Sequence, residues 1–217
     1  VLGLCTVAGN GTGANTYRNA RKVLGLLGAD VPIARGADRP LLRDLITAPS
    51  VHGASALDGP KLPEVPEVGK PVQAIDLITG VLSGNDDRRT VWIATGPLTN
   101  VAIALLAKPH IKDNIERIVI MGGSTGAGNW TPSAEFNIHV DPEAAKVVFQ
   151  SGVPLTMIGL DVTHKALVYP DEVERMRASG RVGKVAAELL DFYSIFYRGR
   201  SFKGNPVHDA VAVAHVI

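Results

Sequence analysis

Asn129, Glu135 and Asn137 fall within a few residues of one another in the stretch Met121-Gly-Gly-Ser-Thr-Gly-Ala-Gly-Asn129-Trp-Thr-Pro-Ser-Ala-Glu135-Phe-Asn137. A carboxamide both donates and accepts hydrogen bonds and a carboxylate accepts strongly, so together they can grip a polyol such as a sugar. The plainer alternative is a glycine-rich loop with solvated polar side chains. Two further places carry groups of chemical interest. His208-Asp209 sets an imidazole beside a carboxylate at the start of an apolar, helix-like segment. An imidazole there could pass a proton near neutral pH and an aspartate could ligate a metal, although helix neighbours point apart and would serve different partners. Thr95-Gly-Pro-Leu-Thr-Asn100 reads as a strand end turning into a helix, whose carbonyls would be hard oxygens suited to Ca²⁺. A capping aspartate, a solvated histidine and an ordinary turn are the simpler readings of these two motifs. His52 and His164 are equally open.

The elements that must hold these groups are legible from periodicity. Strand-like runs recur at Val1 to Val7, Val31 to Ala34, Val91 to Thr95, Arg117 to Met121 and Pro154 to Leu160. Helical patterns lie between most of them: about Asn15 to Leu27 with a stripe of Ala20, Val23, Leu24 and Leu27, then Pro71 to Leu82, and Leu98 to Ala107. Further helices are predicted for Asp171 to Ala178, Val182 to Tyr197 and His208 to Val216. Gly28 suits a C′ position, and Asp141-Pro142 suits an N-cap followed by proline at N1. Lys61 to Pro71, with three prolines, reads as a surface loop. This alternation predicts an α/β fold: one domain over residues 1–217, with a mostly parallel open sheet and helices on both faces. In such sheets ligands bind beyond the carboxyl ends of the strands, where Asn129, Glu135 and Asn137 lie.

Composition narrows the partners. With 22 Lys+Arg against 21 Asp+Glu and no basic block, neither nucleic acid nor an anionic membrane is suggested. No apolar run reaches the length of a membrane span. The single cysteine, Cys5, rules out an intrachain disulfide, reads as a core residue and fits a reducing, cytoplasmic setting. Gly9-Asn10-Gly11-Thr12-Gly13 follows a strand, but Ala14 occupies the place where a dinucleotide fingerprint needs glycine, and no Gly-Lys-Ser/Thr follows. It reads as a tight strand-to-helix turn, with Asn10 free to face a ligand.

Taken in order, Thr6-Val-Ala-Gly-Asn10, His52-Gly53, Thr95-Gly-Pro-Leu-Thr-Asn100, Met121-Gly-Gly, Gly128-Asn129, Glu135-Phe-Asn137, Asp141-Pro-Glu-Ala-Ala145, Gly159-Leu-Asp-Val-Thr-His164 and His208-Asp209 resemble the inosine-uridine-preferring nucleoside hydrolases. The resemblance runs the full length of the chain. It implies a Rossmann-like fold, hydrolysis of the N-glycosidic bond of ribonucleosides to ribose and base, a Ca²⁺-bound water as nucleophile, and a homo-oligomer, either tetramer or dimer. By position, it implies that Thr95 and Asp209 are metal ligands and that Met121, Asn129, Glu135 and Asn137 contact the ribose. Asn10 would lie at the sugar or metal edge, His52 in the base pocket, and His208 would be the acid that protonates the leaving base. The aromatic run Phe192 to Tyr197 and Phe202 would stack on the base.

One part of the family pattern is missing. An aspartate-rich D-x-D-x-x-x-D-D segment, which would supply further calcium carboxylates and the general base, occurs nowhere, and Asp86-Asp87 does not match it. Val1 lies inside an apparent strand, which leads to the expectation that a βα unit before it and residues beyond Ile217 belong to the whole protein. The competing readings are a non-catalytic nucleoside or ribose binder and an inactive fragment.

Overall fold

In a computed structural model, residues 1–66, 69–83, 89–198, 200 and 202–217 are described, and the Asp86-Asp87 pair lies outside them. The chain runs β1 (Leu4–Cys5), α1 (Gly13–Leu27), β2 (Ile33–Arg35), α2 (Pro49–His52), β3 (Val72–Gln73), α3 (Ala74–Ser83), β4 (Thr90–Ala94) and α4 (Thr99–Ala107). A 3₁₀ turn, Pro109–Asn114, leads to β5 (Ile115–Met121), α5 (Phe136–Val140), α6 (Pro142–Phe149), β6 (Leu155–Ile158) and α7 (Leu160–Thr163). β7 (Leu167–Val168), α8 (Pro170–Ala178), α9 (Arg181–Tyr197), β8 (Asn205–Pro206) and α10 (His208–Ala214) complete it.

The α/β class and parallel pairing stand as expected. Among the described residues the parallel strands form two ladders, β1-β2-β3 and β4-β5-β6, and β7 with β8 adds a small antiparallel pair that the sequence did not suggest. β5 explains how helices come to lie on both faces of its ladder. Its residues alternate: Ile118 and Ile120 enter one core with α3, α4 and α6, while Val119 and Met121 enter another with Ile158, Leu160 and Ala212 of α10.

Several boundaries differ from the sequence expectation for local reasons. The helix expected from Pro71 starts at Ala74, because Val72 and Gln73 pair in parallel with Ala34 and Arg35. The α1 stripe is rotated: Tyr17 and Leu26 are buried and Leu27 is 52% exposed. Gly28 closes α1 with φ 61°, the left-handed conformation expected of C′. Pro109 ends α4 as expected, but it also opens the unforeseen 3₁₀ turn. The strand expected to reach Leu160 stops at Ile158, since Gly159 caps α7. Cys5 is half-buried against the larger core, and burial pushes its thiol up to about 11.

Two polar clips tie these layers together. Asn100, in the first turn of α4, donates to the Thr6 carbonyl at 2.8 Å and accepts from the Ala37 amide at 2.9 Å, so it links loops beyond β1 and β2 to the other ladder. Gly36 makes room for it: a Cβ there would stand 2.1 Å from the Thr6 oxygen. Asp141, fully buried, caps α6 through the Ala144 amide at 3.0 Å and also accepts from Thr99 Oγ1 at 2.6 Å and the Leu41 amide at 2.9 Å. Asp141→Ala removes the cap and leaves two further donors unpaired, so it should cost about 3 kcal/mol in urea-unfolding free energy. A loss below about 1 kcal/mol would show that these bonds do not hold the layers together.

Candidate functional site

A cavity of about 700 Å³ opens at the carboxyl end of β4 and β5. Its lining contains Asn10, His52, Thr95, Met121, Asn129, Glu135, Asn137, His208 and Asp209; of the aromatics expected to stack on the base, Tyr193, Phe196 and Tyr197 line it, whereas Phe192 and Phe202 do not. One side is polar and is built from the β5-to-α5 connection; the opposite side comes from α9 and the start of α10.

The polar side is a loop only in part: residues 122–134, with Asn129, are irregular as the sequence suggested, but the rest is not. Phe136 to Val140 form a helix, and Glu135 is its N-cap. The Glu135 carboxylate accepts from the amides of Asn137 at 2.9 Å, Ile138 at 3.0 Å and Gly123 at 2.9 Å. It is 3% exposed, and burial pushes its pKa up while those three amides pull it down, with burial the larger effect. Asn129 accepts from the Phe136 amide at 2.9 Å, which folds the glycine-rich stretch back onto α5. Asn137 donates to the Met121 carbonyl at 3.0 Å and reaches the Thr95 carbonyl at 3.5 Å, so one carboxamide spans the ends of β5 and β4. These groups are thus fixed by the backbone before any ligand arrives. Glu135 Oε2 is filled by two amides, and acceptor capacity remains on Glu135 Oε1 and on the Asn129 and Asn137 side-chain oxygens.

On the opposite side, His208 is engaged at both ring nitrogens: Nδ1 lies 2.8 Å from Thr163 Oγ1 and Nε2 3.2 Å from the Tyr197 hydroxyl. Tyr193, one helical turn before Tyr197, donates to it at 2.9 Å. The result is a file Tyr193–Tyr197–His208. Burial, then the neighbouring His164 and His52, press His208 down to about 4, so the imidazole is neutral near pH 7 in the ligand-free site. With Tyr197 accepting from Tyr193 and donating onward, Nε2 is the acceptor and Nδ1–H faces Thr163. His52 stacks on Tyr193 with ring centroids 5.9 Å apart and 22° between planes, and burial lowers its pKa too. His164 does not line the cavity; it backs His208 edge-on at 5.7 Å and packs against Phe202.

Asp209 opens onto the cavity and water reaches it, yet protein packs around the carboxyl. That enclosure first, and the Glu135 carboxylate second, push its carboxyl up to about 7. His208 and Asp209 do serve different partners, as their adjacency in a helix requires. The metal expectation fares less well. Thr95 and Asp209 offer one carbonyl and one carboxylate, and no cluster of three metal-ligating side chains occurs among the described residues. Calcium takes about six to eight oxygens, so these donors alone do not satisfy it.

Sequence reasoning missed three lining or supporting groups, Thr163, Trp130 and Arg200, and gave two others a different role. Tyr193 and Tyr197 were noted only as stacking aromatics, although their i, i+4 spacing already puts both hydroxyls on one helix face. Thr163 is found only through the turn of α7. Trp130 packs edge-on against Phe136 at 5.0 Å and walls the polar side. Arg200 lines the far end.

The chain is 48% identical over 221 residues to the pyrimidine-specific ribonucleoside hydrolase RihA of Citrobacter koseri, covering all of this chain and 70% of that protein. The RihA of Shewanella oneidensis is likewise 48% identical over 220 residues, with all of this chain and 69% of that protein covered. Among solved structures, the purine-preferring ribonucleoside hydrolase from Gardnerella vaginalis superposes with a TM-score of 0.91 at 34% identity, covering 100% of this chain and 71% of that one. The plant nucleoside hydrolase PpNRh1 gives 0.89 at 30% identity, with 100% and 70% covered. The family model for inosine-uridine preferring nucleoside hydrolases matches residues 1–217, so the chain belongs to that family.

Proposed function

We propose that the protein hydrolyses the N-glycosidic bond of ribonucleosides, giving ribose and a free base. The observation that carries this reading is a cavity with two unlike sides: a prefixed polar set of Asn129, Glu135 and Asn137, facing a file of Tyr193, Tyr197 and His208. The first suits the hydroxyls of ribose. The second suits a planar base that leaves as an anion and must take up a proton.

Cleavage develops positive charge on the sugar and negative charge on the base, as in glycosidases. The buried Glu135 carboxylate lies on the side where the sugar cation forms, and burial strengthens that attraction. As the C1′–N bond breaks, its electron pair goes to the base and the attacking water's oxygen bonds to C1′. His208 acts as the leaving-group acid: the ring starts neutral, takes a proton from water as negative charge collects on the base, and passes it to the base nitrogen, while the attacking water gives its own surplus proton to solvent. Thr95 and Asp209 would contribute two oxygens to Ca²⁺, which is short of its needs, so no step is assigned to the metal here. A non-catalytic ribose or nucleoside binder is the second reading, favoured by that short donor set.

Ribose release from inosine and uridine, with and without calcium, tests the reading. Binding of either nucleoside with no release of ribose would leave the binder. His208→Ala should slow purine nucleosides by about 10²-fold or more, and p-nitrophenyl riboside far less, because that leaving group needs no proton. Equal losses on both would remove His208 from leaving-group protonation. Asp209→Ala should raise the calcium concentration for half-maximal ribose release at least about tenfold, the loss of one charged ligand. An unchanged requirement would take Asp209 out of the metal site.

A further inference from the structure

Among the described residues the cavity lining contains one lysine or arginine, and its surroundings are unusual. Arg200 lies just past the end of α9 with its guanidinium carbon 3.7 Å from the centroid of the Phe196 ring. One of its N–H groups donates to the Phe196 carbonyl. No salt bridge to Arg200 occurs among the described residues, although the cavity holds the carboxylates of Glu135 and Asp209. A guanidinium has five N–H donors lying in its own plane. Seated on a ring face, it directs the donors left over by Phe196 sideways, where a planar acceptor edge can meet them. Phe196 packs edge-on against Tyr197 at 5.1 Å, and Tyr197 bonds to His208, so the cation stands one ring beyond the proton file.

We propose that Arg200 recognises the base: its guanidinium, held on Phe196, donates to an exocyclic carbonyl oxygen of the departing base and stabilises the negative charge that collects there. This rests on the nucleoside hydrolase reading. When the C1′–N bond breaks, the electron pair passes to the base nitrogen and delocalises onto its carbonyl oxygens. Arg200 keeps its own protons and supplies charge-assisted hydrogen bonds, while the proton that neutralises the base arrives by the Tyr–His file or from water. Pyrimidines such as uracil present such oxygens on the ring that leaves; adenine has none. A purely structural Arg200, closing the carboxyl end of α9 and resting on Phe196, would affect folding without distinguishing bases.

The test uses Arg200→Met and Arg200→Lys, each compared with the unaltered protein for thermal unfolding, for kcat/KM on uridine and adenosine, and for competition by uracil, adenine and ribose. Arg200→Met should lower kcat/KM for uridine about 30-fold, the scale of a charge-assisted hydrogen bond, with adenosine changed less than about threefold. Uracil competition should weaken about tenfold while adenine and ribose competition stay unchanged, and Arg200→Lys should recover part of the loss. Equal losses on both nucleosides, or unaltered uracil competition, would overturn the proposal. So would a preference for uridine 5′-monophosphate that vanishes in Arg200→Met, since Arg200 would then be reading a phosphate. If the unaltered protein binds uracil in an Arg200-dependent way but releases no ribose, base recognition stands and the hydrolase reading falls.

Discussion

The Glu135 carboxylate is the interaction on which the site depends. It accepts amides from both sides of a chain reversal, Gly123 just after β5 and Asn137 with Ile138 at the start of α5. Buried carboxylates are costly unless saturated with donors, and three amides offset that cost. The same bonds pin the end of the central strand to the next helix. Asn129 and Asn137 are then carried into place, one bonding the Phe136 amide and the other spanning the Met121 and Thr95 carbonyls. Ligand groups and fold-holding groups are therefore the same atoms, and a ribose would meet a surface already ordered.

The opposite side is organised by another rule. It is aromatic and histidine-rich, with rings meeting at centroid distances from 4.9 to 5.9 Å around Tyr193, Tyr197, Phe202 and His208. Such packing excludes water, keeps the imidazoles neutral and strengthens any hydrogen bond made there. The cavity thus sets an acceptor-rich side against a low-dielectric one that ends in a cation. This polarity matches a bond that separates into a positive sugar and a negative base.

Much of this was readable in one dimension, for identifiable reasons. The alternation of β-branched runs with helical stripes gave the class, and Asp141-Pro142 and Gly28 marked helix ends through local chemistry alone. The predicted sugar, metal and acid residues all lie on the one cavity, though Phe192 and Phe202 of the predicted stacking set do not. What stayed hidden depends on tertiary partners. Val72 and Gln73 pair only because β2 is beside them, and α5 is too short for its periodicity to stand out. Thr163 and Arg200 carry no local signature, because their roles arise from contacts with His208 and Phe196. The neutrality of His208 is likewise a property of its neighbours.

The Asn100 clip has a mechanical meaning. The two parallel ladders share no strand pairing among the described residues, so backbone hydrogen bonding does not make them one rigid plate. Asn100 in the first turn of α4, and Asp141 through the Leu41 amide, reach from one ladder to loops of the other. Asn10 follows β1 and Asn137 follows β5, so residues carried by both ladders line the one cavity. The width of the crevice is therefore set by a joint rather than by a sheet. That joint is a seam of side-chain hydrogen bonds, each contributing about 1 kcal/mol, laid over a shared apolar core, so residues remote from the cavity set the spacing of the parts that line it.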